Sequence, residues 1–416
     1  MLNRKLLSQY NRADSLLFIA SYPEKSVTYS NKVCAVGGFT KNTLLALNKG
    51  KAKTPQIVIT VMIGEKEEVY VDNGVLVLRL ISRNNPLSYL KVMRAIGLFT
   101  RVKQVIVEFE FGSFGGLINT TFFLSVLSYL KLVGKNTQLV MHQVVDNLDN
   151  LAGHLGWQKK TLKTTLFNTG LRKYYLLMSW LVERIIVTEK VFSARLRKAG
   201  VSETKLCFIP HGVDTEVKSM AKSRARQLLK LPKRAFIIMY FGYLTWYKGA
   251  DIFLEAARVL QKKGKFYFVM AGGTSFSNKS KEHYKTYLKQ FASLPDNLRL
   301  TGFVPERELA AYFAAADLIV LPYRTMMSSS GPLSLSFTFK KPVLLSSSLR
   351  SYLHSPDLAL AFKEVGLTRQ ELFFETSRLP EVLKTLKANQ LRKLTLFSQK
   401  VRSVRSYAKI VSRYLS

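Results

Sequence analysis

Acidic residues are scarce in this chain. It sets 27 Asp and Glu against 63 Lys and Arg, a formal net charge of +36 at pH 7. A surplus of that size needs anions: nucleic acid, an acidic membrane surface or phosphorylated substrates. The alternative is a solvated basic surface with no dedicated partner. Cysteine is scarcer still, with Cys34 and Cys207 the two present. Each lies in or beside an apolar stretch, and neither has metal-ligand spacing around it. This argues against a disulfide framework and for a reducing compartment, with both as small core side chains. Long apolar runs are also missing. The run at residues 15–20 is short and follows Asp14, unlike a signal peptide. The run at 114–134 carries Asn119, Thr120, Thr121 and Lys131 and opens on two glycines, so it reads as a buried helix. The expected location is cytoplasmic, peripheral on the inner face of the membrane.

What is present points to two cores. A chain of 416 residues, 47% hydrophobic and 12% aromatic, is too long for one ordinary domain and too apolar for disorder. Short β-branched runs alternate with helix-length amphipathic segments. Strands are expected at residues 15–20, 56–62, 75–80, 104–109, 138–142, 184–188 and 205–210. After a break they resume at 236–241, 266–271, 298–301, 318–321 and 343–346. Runs such as FIIMYFG and ADLIVLP are continuously apolar, as in parallel strands buried on both faces. The fold class is therefore α/β, with a doubly wound parallel sheet in each half. The expected division is residues 1–212, 213–390 and a terminal segment, 391–416. That last segment spaces Leu394, Phe397, Val401, Val404, Val411 and Leu415 at helical intervals and carries seven Lys or Arg and no acid. It is expected to be an amphipathic helix packing back on the first domain.

Three segments of the second half carry chemistry. In FGYLTWYKG, Gly242 turns the chain off a strand, Tyr243 follows, and Lys248 stands just before a helix over 250–263, a suitable diphosphate site. MAGG ends a strand on Gly272 and Gly273, and the next strand end offers the backbone of Gly302, Phe303 and Val304, suited to a base edge. In MMSSSGPLSLSF, a loop with Ser329, Ser330 and Gly331 opens a helix over 332–339. Pro332 lies in its first turn, and amides at Ser330, Gly331 and Leu333 face an anion. Alone, that segment is equally an ordinary capped helix.

Together these motifs, over residues 211–346, resemble the donor domain of retaining glycosyltransferases with the GT-B fold, family 4 in particular. The resemblance implies two Rossmann-like domains facing a central cleft, with the nucleotide sugar on the second. It extends more weakly to the first half. Gly37 and Gly38 stand where the family has a glycine loop facing the donor phosphates. VEFEFGSFGG is similar to an HEFGIFGG-type segment, with Glu110 matching the glutamate and Phe109 in place of the histidine. His142, after a buried strand, stands where the family has an active-site histidine; a lone histidine there is otherwise more often structural. There are departures. Tyr243 lies where the family usually has an arginine, and the paired glutamates fall at Met327 and Leu335, which puts the sugar in doubt and leaves a degenerate member open.

The implied reaction is hexosyl transfer from a nucleotide sugar with retention of configuration. Lys248, backbone amides and helix dipoles would stabilise the departing diphosphate, while His142 and Glu110 serve as further catalytic residues. No Asp-x-Asp motif is present, so no metal and no cofactor beyond the nucleotide-sugar substrate is expected. The acceptor is expected to be lipid-linked or a surface glycan. Between residues 151 and 235, 18 Lys or Arg face five acids, and the stretch at 157–180 interleaves basic and aromatic residues, as a surface for anionic lipid would. A core helix with a solvated basic face is the alternative. Nucleic acid is not an expected partner, since no RNA or DNA module is recognisable, although a basic nucleic-acid-binding protein is the rival class.

Overall fold

A computed structural model describes residues 4–49, 54–275, 278 and 281–415. The chain forms two compact units. The first comprises Met1–Asp146, Leu166–His211 and Tyr407–Ser416; the second comprises Asn147–Thr165 and Gly212–Ser406.

Unit 1 is built on an eight-stranded sheet. In chain order its strands are β1 (Leu16–Ile19), β2 (Gln56–Val61), β3 (Glu68–Asp72), β4 (Val75–Ile81), β5 (Gln104–Phe109), β6 (Asn136–Met141), β7 (Arg184–Val187) and β8 (Leu206–Phe208). Their spatial order is β3-β4-β2-β1-β5-β6-β7-β8. Every pairing is parallel except β3 with β4, a hairpin closed by Asn73 and Gly74, both at positive φ. Helices cross between the parallel strands: α1 (Val36–Asn48), α2 (Ser88–Leu98), α3 (Leu117–Leu132) and α4 (Leu162–Leu181). All six residues of β2 are buried, as its uninterrupted QIVITV requires. Phe18, Phe39, Leu44, Val58, Ile106 and Val140 join one core with Tyr407, Ile410, Val411 and Tyr414.

Unit 2 has a six-stranded, wholly parallel sheet: β9 (Phe236–Phe241), β10 (Phe266–Ala271), β11 (Leu298–Leu300), β12 (Leu318–Leu321), β13 (Val343–Ser346) and β14 (Phe373–Phe374). The order is β11-β10-β9-β12-β13-β14. Its helices include α5 (Ala250–Leu260), α6 (Glu306–Ala315), α7 (Gly331–Thr338), α8 (Pro356–Glu364) and α9 (Ala388–Val404). Each expected strand is present within one or two residues at its ends; β3 and β14 are additions.

Three expectations need correction. Residues 147–165, counted with the first domain, lie in unit 2. Gly153 lets the chain pass under Trp246, where a Cβ would come within 2.5 Å of the indole, and the His154 carbonyl meets His283 Nε2 at 3.0 Å. The segment at 391–416 is not one helix packed on the first domain. In α9, Phe397 meets Phe337 edge-on at 5.9 Å, and Ser398 Oγ donates to the Lys341 carbonyl. The helix ends where Arg405 turns to pair with Asp357, at 2.5 and 3.0 Å, and only Tyr407–Ser416 rejoins unit 1. Finally, the run at 114–134 is buried on one face alone. Phe123, Val126, Leu127 and Leu130 of α3 are covered, while Leu117, Ile118, Phe122 and Leu132 are more than half exposed. No helix among the described residues is long and apolar enough to cross a membrane.

Candidate functional site

In unit 2 the chain runs outward from β9 through β10 to β11, then returns to β12 on the other side of β9. The order of the strands thus reverses between β9 and β12, and the carboxyl edge at such a reversal is where open parallel sheets take ligands. The expected donor residues of this half all leave that edge. Gly242, Tyr243 and Lys248 follow β9, Gly272 and Gly273 follow β10, and Gly302, Phe303 and Val304 follow β11. Ser329, Ser330 and Gly331 lie between β12 and α7.

The glycines hold these loops together. A Cβ on Gly272 would lie 1.8 Å from the Gly242 carbonyl oxygen, and one on Gly273 2.9 Å from the Phe303 amide. Gly242, at φ +130°, leaves room for its neighbours. A Cβ there would be 3.1 Å from Lys248 Nζ and 3.4 Å from Pro332 in the first turn of α7. The ammonium thus stands between the end of β9 and the amino end of α7. Rings of Tyr243, Tyr247 and Tyr323 surround it, with centroids at 5.8, 5.8 and 6.0 Å. Aromatic faces hold a cation in place without neutralising it.

At α7 the Ser330 hydroxyl caps the helix by accepting from the Leu333 amide at 3.2 Å, and it lies 3.0 Å from the Tyr323 hydroxyl. The Leu333 amide, expected to face an anion, is therefore already used; Ser330 and Gly331 keep the first-turn positions. Gly302 turns at φ +74°, Phe303 is exposed and Val304 is buried. Leu335, where the family has a glutamate, is buried in α7, and Met327 is half-buried.

A clamp that motif reading did not find steadies this edge. Arg324 grips Asp251 of α5 through two bonds, of 2.8 and 2.5 Å, and also donates to the Trp246 carbonyl at 2.8 Å. The Tyr287 hydroxyl donates to the same aspartate at 2.8 Å. The PYR run after β12 and the aspartate just past Lys-Gly were the available signals. A basic depression lined by Lys222, Arg226, Lys233, Arg234 and Lys265 lies at the opposite, amino edge of this sheet, away from the strand-end glycines.

His154 packs edge-on against Tyr247 at 5.0 Å. Burial, then the charges of Lys281, His283 and Lys248, pushes its pKa down from 6.5 to about 4. The unfolded chain takes up a proton below about pH 6.5 that the folded one refuses. This contribution is complete above pH 6.5 and is lost as pH falls towards 4. Thermal melts should show His154→Phe losing less stability than the parent between pH 7 and pH 5; equal losses would refute the assignment.

Unit 1 places its candidates differently. His142 follows β6, buried, with its ring edge-on to Phe39 at 4.6 Å. Its nearest acid is Glu108, which sequence reasoning passed over, rather than Glu110. The Glu108 carboxylate is fully buried in β5, accepts from Thr40 Oγ1 at 2.6 Å and lies 3.6 Å from His142 Nε2. Glu108 Oε1 and His142 Nε2 have no hydrogen-bond partner among the described residues. A charged residue inside the apolar run QVIVEF was the signal. Glu110 accepts instead from Cys34 Sγ at 3.2 Å, and burial, then this carboxylate, pushes the thiol up to about 12. Gly37 and Gly38 belong to the helix itself rather than to a turn ahead of it. They lie buried in the first turn of α1, and their amides donate to the Cys34 and Ala35 carbonyls. Among the described residues no cluster of three His, Cys, Asp or Glu has the geometry to hold a metal ion.

Residues 221–349 match the family model of Glycosyl transferases group 1. Alpha-galactosylglucosyldiacylglycerol synthase of Streptococcus pneumoniae is 31% identical over 169 residues, covering 39% of this chain and 44% of that protein. D-inositol 3-phosphate glycosyltransferase of Streptosporangium roseum is 28% identical over 129 residues, covering 30% of each. The chain thus spans less than half the length of these curated relatives. Solved structures match almost throughout. Anabaena Alr3699/HepE in complex with UDP and glucose gives a TM-score of 0.64 at 13% identity, covering 96% of this chain and 98% of that one. Sucrose-phosphate synthase of Thermosynechococcus elongatus gives 0.68 at 13%, covering 96% and 97%. The chain has the GT-B fold, with two parallel-sheet Rossmann-like units, and the second of them contains the segment that is similar to group 1 glycosyl transferases.

Proposed function

We propose that the protein is a glycosyltransferase moving a hexose from a nucleoside-diphosphate sugar to a lipid-linked or surface-glycan acceptor, retaining the anomeric configuration and needing no metal ion. The observation that carries this reading is the Lys248 ammonium, held among three tyrosine rings beside Gly242 and the first turn of α7. Breaking the sugar–phosphate bond leaves positive charge on the sugar and a full extra negative charge on the diphosphate. A preplaced cation and a helix amino end at the point where that charge grows stabilise the transition state more than the bound donor. The backbone at Gly302–Val304 would read the base edge. On unit 1, His142 would hydrogen-bond the transferred sugar and assist proton movement, supported by the Glu108 carboxylate beside it. Glu110 would act on the same edge.

A panel of UDP, GDP and ADP sugars tests the donor. A ligand at 100 times its Kd adds about 2.7 kcal/mol to stability, so at least one sugar should raise the melting temperature measurably. No shift with any of them would sink the proposal. With the donor in hand, activity in EDTA and the anomeric coupling in the product's NMR spectrum check metal independence and retention.

A further inference from the structure

The apolar surface of unit 1 is not scattered. Three helical stretches lie side by side. The Tyr89 hydroxyl of α2 donates to the Asn119 carbonyl of α3 at 3.1 Å, and the Tyr174 hydroxyl of α4 donates to the Thr120 carbonyl at 2.7 Å. Lys131 Nζ, near the end of α3, reaches the Trp180 carbonyl at 2.5 Å. Of the 20 large apolar residues exposed among the described residues, 11 lie on α2, on α3, on residues 166–181 of α4, or beside them. Leu90 is 50% exposed, Ile118 65%, Phe122 51%, Leu132 84%, Leu166 69% and Trp180 56%. Leu90, Lys91, Arg94 and Leu98 of α2, and Leu166, Lys173, Leu177 and Trp180 of α4, recur at intervals of one to seven along each helix, facing outward together. A monomeric protein seldom leaves so much apolar surface in one place without a use for it.

Charge decides what covers it. None of the three stretches contains an acid, while Lys91, Arg94, Lys131, Arg172 and Lys173 are all exposed on them. A second copy of a chain at +36 would bring the same five cations against these, so self-association is opposed. Nucleic acid would satisfy the cations and leave leucines and isoleucine against phosphate. An anionic bilayer satisfies both. Apolar side chains enter the acyl boundary, the indole of Trp180 sits at the headgroup level, and Lys and Arg extend to the lipid phosphates.

We propose that the joint outer face of α2, α3 and residues 166–181 of α4 is a docking surface for anionic membrane, with the helices lying flat in the interface. This deepens the reading of a lipid-linked acceptor and rests on it for its purpose, not for its physics. It also moves the surface from where the sequence placed it. Of the basic-aromatic stretch at 157–180, Trp157, Lys159, Lys160 and Lys163 belong to unit 2, and Lys163 Nζ sits 4.2 Å from the centre of the Trp157 ring.

Flotation of the full chain with vesicles of phosphatidylglycerol and phosphatidylcholine, against phosphatidylcholine alone, tests it. Binding should need the anionic lipid and weaken as salt rises. Ile118→Asn with Phe122→Asn should lower partitioning by about tenfold or more while leaving the melting temperature unchanged, since both side chains are exposed. Arg172→Gln and Lys173→Gln should each cost about fivefold. Lys222→Gln with Lys233→Gln, on the basic depression of unit 2, should change little. The proposal is overturned if the parent does not float with anionic vesicles, or if the Ile118–Phe122 pair floats as the parent does. It is also overturned if light scattering shows a dimer that this pair dissolves. Donor-induced thermal shifts on the same proteins separate the two claims. Lost flotation with intact donor binding would sink the surface alone, and intact flotation without any donor shift would sink the enzymatic reading alone.

Discussion

Lys248→Ala should lower kcat by about 100- to 1000-fold with a much smaller change in KM, because the cation acts where charge appears rather than where it already is. Release of nucleoside diphosphate from the donor found by thermal shift is the measurement. The side chain is half-buried but carries no part of either core, so melting should move by only a few degrees. Arginine should not restore activity. The ammonium lies 3.1 Å from where a Cβ on Gly242 would be, amid three rings, and a guanidinium is larger and planar. A Lys248→Ala variant that turned over normally would remove the main support for the phosphate site. Equal rises in KM with kcat unchanged would make the lysine a ground-state binder instead.

The parallel strands and the strand-end motifs were legible because each is written locally. Continuous runs such as QIVITV, FIIMYF and LIVL admit no surface-facing side, so they fix both strand and burial. What escaped was written elsewhere in the chain. β3 is a part-exposed edge strand with Glu68 and Asp72 at its ends, and its signal was the Asn73–Gly74 turn rather than its own composition. The break after α9 depends on Asp357, 48 residues away from Arg405, and no property of the helix announces it. Gly37 and Gly38 have a packing reason for being small that no local pattern announces: Pro23, Thr28, Tyr29 and Val33 press on the first turn of α1. The family-like motif marked Glu110, two residues beyond the buried carboxylate that lies beside His142. Glu110 lies past the last residue of β5, where the chain has left the ladder, and the register of β5 against β6, which pairs Glu108 with Val140, keeps Glu108 in the sheet beside the end of β6.

Gly272→Ala should be the most damaging single-methyl change in unit 2. The added carbon would lie 1.8 Å from the Gly242 carbonyl oxygen and 2.7 Å from its carbon, so the obstacle is backbone, not a side chain that can swing away. That backbone cannot easily retreat. The Gly242 amide donates to Ala271 at 3.0 Å and the Leu244 amide to Gly273 at 3.0 Å, locking the chain after β9 to the chain after β10. Relief requires one of these bonds to break or both loops to part, at a cost of about 3 kcal/mol, which for a unit of this size is a fall of about 10 °C in melting temperature. Since Gly242 also leaves the space beside Lys248, donor binding should fall with it. Gly331→Ala provides the contrast. Nothing lies within 4 Å of a Cβ there, and its φ is ordinary, so the unit should melt where the parent does. Any loss of donor affinity in Gly331→Ala then reports a methyl group standing in the path of the ligand rather than a disturbed fold. If Gly272→Ala melted with the parent, the close crossing of the two strand ends would be wrong, and with it the geometry that brings Lys248 to the first turn of α7.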